Sequence, residues 1–130
     1  MKAVVVEALK VGVPTLSGFI YGESICRIII DQFEILKKKN GSNGLVGYLT
    51  HGSDECTHVV EQCWLADERL MTSLHFADSP AGTLVARGYH ADQVYLAPCG
   101  TGGFLHGSTE LDPVQYQFRC FNFTWRDPGR

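Results

Sequence analysis

Gly47-Tyr48-Leu49-Thr50-His51 sets a histidine just past the end of an apolar strand, and Leu96-Ala97-Pro98-Cys99-Gly100-Thr101-Gly102 puts a tight glycine turn at the end of another. Two such strand ends are a frame on which a hydrolase can assemble a base and a nucleophile. Histidine titrates near neutral pH and can take the proton of a hydroxyl or thiol as it attacks. The second strand end, however, offers Ala97, and a methyl group cannot attack a carbonyl. Cys99 lies two residues further on and would be a good nucleophile if its thiol were held ionised. Each residue also has a plainer reading: His51 as a structural or exposed loop histidine, Cys99 as an ordinary buried or turn cysteine. Ser53, Ser73, Ser79 and Ser108 carry further hydroxyls, but none sits in a Gly-x-Ser-x-Gly elbow. They read as turn, cap and surface residues.

Two other constellations point to different chemistry. His51, Cys56, His58 and Cys63 together hold two nitrogens and two sulfurs, the donor set of a tetrahedral zinc site. They lack a close Cys-x-x-Cys knuckle, and on one strand His58 and Cys63 would face opposite ways. The expectation is therefore no metal, with Cys63 packed inward. Gly100-Thr101-Gly102-Gly103 is glycine-rich enough to cradle a phosphate, but Phe104-Leu105-His106 follows where a Walker loop needs Lys and Ser or Thr. That continuation reads as another short strand, with the glycines as a hairpin or bulge. No cofactor is implied.

These residues need elements to hold them. Lys2 to Leu9 reads as an apolar strand closed by Gly12 and Pro14. Ser24 or Glu23 opens a helix to about Lys39, with Ile25, Ile28, Ile29, Phe33, Ile35 and Leu36 returning at helical spacing. The Asn40-Gly41-Ser42-Asn43-Gly44 run ends it. Strands follow at Leu45 to Leu49, Thr57 to Ala66 and Leu70 to Ala77, the last two joined as a hairpin through Asp67-Glu68-Arg69. Asp78-Ser79-Pro80 starts a second, shorter helix, with Pro80 in its first turn, ending near Gly88. Gln93 to Ala97 is a strand. Val114 to Trp125 is a longer one, in which Val114, Tyr116, Phe118 and Cys120 alternate with Gln115, Gln117 and Arg119. The order β-α-β-β-β-α-β-β gives one α+β domain over residues 1–130, built on a mixed or antiparallel, barrel-like sheet with one long and one short helix.

Composition narrows the function classes. The chain has 130 residues, 45% hydrophobic and 19% charged, which suits a folded domain rather than a disordered one. Its net charge of −3 leaves no basic face for nucleic acid. Lys37-Lys38-Lys39 reads as complementing a helix C-terminus. No apolar run reaches the roughly 20 residues that span a bilayer, and Glu7 interrupts the N-terminal apolar run too early for a signal peptide. Five scattered cysteines do not form a disulfide framework, which points to a reducing compartment.

Taken in order, Pro14-Thr15-Leu16-Ser17-Gly18-Phe19-Ile20-Tyr21, the amphipathic helix, Leu45-Val46-Gly47-Tyr48-Leu49-Thr50-His51 and Thr57-His58-Val59-Val60 resemble the tailed-phage prohead maturation proteases. Ser79-Pro80-Ala81-Gly82 is similar to that family's Thr-Pro-Ala-Gly helix start. Leu96 to Gly102 falls where the family has its serine turn, and Tyr116 to Phe123 is similar to its closing strand. The resemblance covers nearly the whole chain and implies a fold like that of herpesvirus assembly proteases. It implies His51 as the catalytic histidine and Ala97 at the position of the serine nucleophile. The chain departs from the family pattern at Phe19, Gly22, Tyr48, Ala97, Pro98 and Cys99.

The resemblance therefore implies a phage-encoded structural or assembly protein that keeps a protease-like fold without the chemistry. Its partners would be proteins, capsid or scaffold proteins among them, with a homo-oligomer left open and neither nucleic acid nor membrane involved. Its location would be the host cytoplasm or the virion. Two alternatives stand beside this reading. One is an active endopeptidase of capsid or scaffold proteins using His51 with Cys99 or an unplaced serine. The other is a small binding or inhibitor protein acting on a host partner.

Overall fold

In the computed structural model, which describes residues 2–41 and 43–126, strands and helices alternate as β1 (Val4–Lys10), α1 (Glu23–Lys39), β2 (Leu45–Gly47), β3 (His58–Ala66), β4 (Arg69–Phe76), α2 (Pro80–His90), β5 (Val94–Thr101) and β6 (Gln117–Trp125). The order is the one that the patterning predicts. Ser42, within the run expected to end the first helix, lies outside the described residues.

α1 forms because its apolar residues return every three to four positions. Ile25, Cys26, Ile29 and Phe33 are fully buried along one face, while Leu36 is half-buried at its edge and Ile35 points to solvent. Glu23 in the first turn and Lys37, Lys38 and Lys39 in the last complement the helix dipole. α2 begins at Ser79, whose Oγ accepts a hydrogen bond from the Gly82 N–H at 3.1 Å, with Pro80 at the first helical position.

The strands build two antiparallel sheets, one in the order β1-β4-β3-β2 and the other β5-β6. The segment after β2 links them. Leu49 pairs in parallel with Phe123, the Phe123 N–H donates to the Tyr48 carbonyl at 3.0 Å, and the Thr50 N–H donates to the Phe123 carbonyl at 2.8 Å. β1 packs beside β5, but no ladder joins them, so the sheets are not closed into the barrel-like form that the sequence suggests. Pro98 lies within β5 and has no N–H to give a second ladder, as suits an edge strand. α1 covers the junction, packing on β6, β3 and β2.

Three bulges decide which side chains face the core. An extra residue sits at Ala8 in β1, Glu61 in β3 and Arg119 in β6. Each reverses the in-and-out alternation beyond it. The Glu61 bulge turns both His58 and Cys63 inward, against the expectation of opposite faces. The Arg119 bulge buries Phe121 and Phe123 along with Tyr116 and Phe118. Cys120 thereby leaves the face it was expected to share with Phe118. The freed backbone groups find side chains: the Glu61 carbonyl accepts from Lys37 Nζ at 2.7 Å, and Gln32 Oε1 accepts from the Phe118 N–H at 2.6 Å.

Four smaller expectations are corrected. β5 continues through Gly100 and Thr101 instead of turning at Gly100. Glycine is needed there because a Cβ would strike the Gln117 carbonyl and the Tyr116 ring. Phe104 to His106 contributes one isolated bridge, Phe104 to Leu111, rather than a strand. The last strand starts at Gln117, and Val114 is solvent-exposed.

Candidate functional site

His51 sits in a tight turn closed by the Gly52 N–H donating to the Leu49 carbonyl at 2.9 Å. Its φ of +61° makes it the third residue of a type II-like turn, a place usually taken by glycine or asparagine. The strand link just before it fixes the turn, through the backbone bonds of Tyr48 and Thr50 to Phe123. Thr124 Oγ1 adds a hydrogen bond to Thr50 Oγ1 at 3.0 Å. The exposed His51 therefore stands on a firm base at the rim of a hollow formed by Tyr48 to Asp54 and Asn122. Its ring makes no hydrogen bond among the described residues.

Asn122 was not singled out by the sequence, and it joins the two halves of the site. It lies on β6 directly opposite Ala97 on β5, so the amide and the methyl share a face. Its Oδ1 accepts from the Tyr48 N–H at 3.0 Å, which ties β6 to the base of the histidine turn. A polar residue within the aromatic run Phe121-Asn122-Phe123 was the available signal. The Arg119 bulge that turns it outward could not be read from alternation. Asn122 thus touches the base of the His51 turn on one side and stands opposite Ala97 on the other, while Ala97 itself lines the groove beside β1 and offers neither hydroxyl nor thiol.

Cys99 occupies the next outward position along β5, opposite Cys120. Both are half-buried. The Cys120 thiol donates to Asn122 Oδ1 at 3.4 Å. The neighbouring Cys120 thiol, opposed by partial burial and aided by the nearby Arg119 guanidinium, brings the Cys99 thiol down to about 6. The same pairing, together with burial, pushes Cys120 up. Cys99 lines a groove between β1 and β5, whereas His51 borders the separate hollow beyond β6.

That groove has a volume of about 680 Å³ and runs between the facing strands where no ladder forms. The Val13 to Phe19 loop and Phe104 border it, leaving Val13, Leu16, Phe19 and Phe104 apolar and exposed. The Phe19 and Phe104 rings touch, with centroids 5.2 Å apart.

Ser53 shares the His51 hollow, and the remaining histidine and cysteine candidates lie elsewhere. His58 is fully buried; its Nε2–H donates to the Phe121 carbonyl at 2.8 Å, and its Nδ1 accepts from Thr57 Oγ1 at 2.7 Å. It is a core pin between β3 and β6. Gly47 opposite it must lack a side chain, because a Cβ would fall on the His58 ring and the Phe121 carbonyl. Cys56 Sγ donates to the His58 carbonyl at 3.2 Å. Burial pushes the Cys63 thiol up to about 12. Among the described residues no three His, Cys, Asp or Glu side chains converge as a metal site. No helix is long and apolar enough to cross a membrane.

No family model and no curated protein matches the chain. Its structure is similar to that of the bacteriophage T4 capsid assembly protease, gp21, with a TM-score of 0.67 at 11% sequence identity. The match covers 95% of this chain and 81% of that one. The fold is therefore prohead-protease-like, as the resemblance in sequence implies.

Proposed function

We propose that this chain is a phage-encoded structural or assembly protein that acts by binding other proteins and does not cleave them. One observation carries the reading: the β5 position opposite Asn122, the residue whose amide holds the Tyr48 N–H at the base of the His51 turn, is Ala97. Nucleophilic hydrolysis needs a hydroxyl or thiol within hydrogen-bond reach of its base, and the base oriented by a third group. Here the position that the resemblance assigns to the nucleophile carries a methyl group, and the Thr50 and Ser53 hydroxyls of the His51 hollow are bonded to Thr124 Oγ1 and the Glu55 N–H instead of to the His51 ring. Catalytic roles for His51 and Ala97's position rest on the resemblance.

The partners in this reading are capsid or scaffold polypeptides, met in the host cytoplasm or the virion. The likeness to a capsid assembly protease supports that choice, and so does the groove between β1 and β5. Free strand edges beside apolar side chains suit an extended segment of another chain. A cysteine endopeptidase using Cys99 and His51 is the second reading, favoured by the lowered Cys99 thiol.

The test compares proteolysis of capsid and scaffold proteins by the unaltered protein with that by His51→Ala and Cys99→Ala variants. No cleavage by any of the three is the expected result. Cleavage that disappears in either variant would replace the binding reading with the enzymatic one. Ala97→Ser should regain at most weak activity, since Tyr48, Pro98 and Cys99 also depart from the family pattern.

A further inference from the structure

We infer that Cys99 and Cys120 form a reversible disulfide across β5 and β6, making this face of the sheet a redox-modification site. The two are paired in register on antiparallel strands. Residues so opposed have Cα atoms about 4.5–5.5 Å apart and side chains on one face. A disulfide spans Cα separations of roughly 4.4–6.8 Å, so the strand register brings the two cysteines within its range.

The site is also open to a reagent. Cys99 lines the groove beside β1, so a small disulfide can reach its sulfur from solvent. The remaining cysteines are placed differently. Cys26 and Cys63 are buried, and burial raises both thiols, to about 11 and about 12. Cys56 lies before β3 and bonds to the His58 carbonyl. Only the pair on β5 and β6 combines register, exposure and an ionisable member among the described residues.

The co-reactant is a low-molecular-weight disulfide such as oxidised glutathione. The Cys99 thiolate attacks one of its sulfurs, forming a mixed disulfide and releasing one glutathione thiolate. The Cys120 thiol then loses its proton to water and attacks the Cys99 sulfur, expelling the second glutathione thiolate. Two protein thiols are oxidised by two electrons, and one small disulfide is reduced to two thiols. The consequence is local. Asn122 Oδ1 loses the Cys120 thiol as a neighbouring donor and keeps the Tyr48 N–H. Oxidation therefore alters the amide that faces Ala97.

The test uses the full chain, reduced, then incubated with oxidised glutathione and analysed by intact mass and peptide mapping. The expected product has lost two hydrogens and joins the Cys99 and Cys120 peptides, and dithiothreitol reverses it. Cys120→Ser should instead stop at a glutathione adduct on Cys99, while Cys99→Ser should gain neither adduct nor cross-link. A cross-link through Cys26, Cys56 or Cys63 would overturn the inference. So would unaltered protein that stays reduced or stops at the glutathione adduct.

Discussion

His58 is a histidine held neutral by its surroundings. Both ring nitrogens have partners that suit the uncharged ring, and burial brings its pKa from the ordinary 6.5 down to about 4. Between those values the unfolded chain binds a proton that the folded chain refuses. The stabilisation is complete above pH 6.5 and disappears as pH falls toward 4, a loss of about 3 kcal/mol. Urea midpoints from pH 7 to pH 4 should show that slope, and His58→Gln should flatten it. Parallel curves for the two proteins would assign the acid sensitivity elsewhere. His51 was legible as a residue past the end of an apolar strand because small polar residues follow it, whereas Ala97, read as a strand end before the glycines, lies within β5. His58 was grouped with the candidate ligands because residue type and spacing carry no sign of burial. Only the contact with the Phe121 carbonyl, 63 residues away in sequence, makes it a core residue.

Among the elements, the hairpin joining β3 and β4 carries a measurable strain. Ala66 pairs with Arg69, leaving the two-residue turn Asp67-Glu68, and both have positive φ, +52° and +59°. Such turns favour Asn-Gly or Asp-Gly, since glycine adopts that conformation without steric cost. Glu68→Gly should therefore stabilise the protein by about 0.5–1 kcal/mol, read as a raised urea midpoint with unchanged m-value. A destabilised variant would show that the Glu68 side chain makes a contribution larger than the strain. Ile29→Ala in α1 should act the other way, costing about 2–5 kcal/mol because a fully buried side chain leaves a cavity. The α1 stripe was legible because helical periodicity runs unbroken through it. The strand faces were legible only up to each bulge. Val60 and Cys63 both point inward although they stand an odd three positions apart, and Phe118 and Phe121 repeat the pattern. An extra residue that pairs with nothing has no signature in simple alternation.

For the whole molecule, the open seam between β1 and β5 is the feature on which the binding reading depends. Had the two sheets closed on themselves, neither strand edge would face a groove. Leu16 stands at its border and is 65% exposed, so it contributes little to the core. Leu16→Glu should leave stability within about 0.5 kcal/mol of the unaltered protein, as surface substitutions usually do. If a capsid or scaffold polypeptide lies in this groove, the same change puts a charge against an apolar contact that must lose its water. Affinity should then fall by about tenfold or more, equivalent to roughly 1.4 kcal/mol. Val46→Glu supplies the control, because Val46 is also exposed but lies on β2, away from the groove. Calorimetric titration of each variant with purified capsid and scaffold proteins separates the outcomes. Equal losses in both variants would indicate a general effect of charge. Unchanged binding by Leu16→Glu would move the contact surface away from the seam.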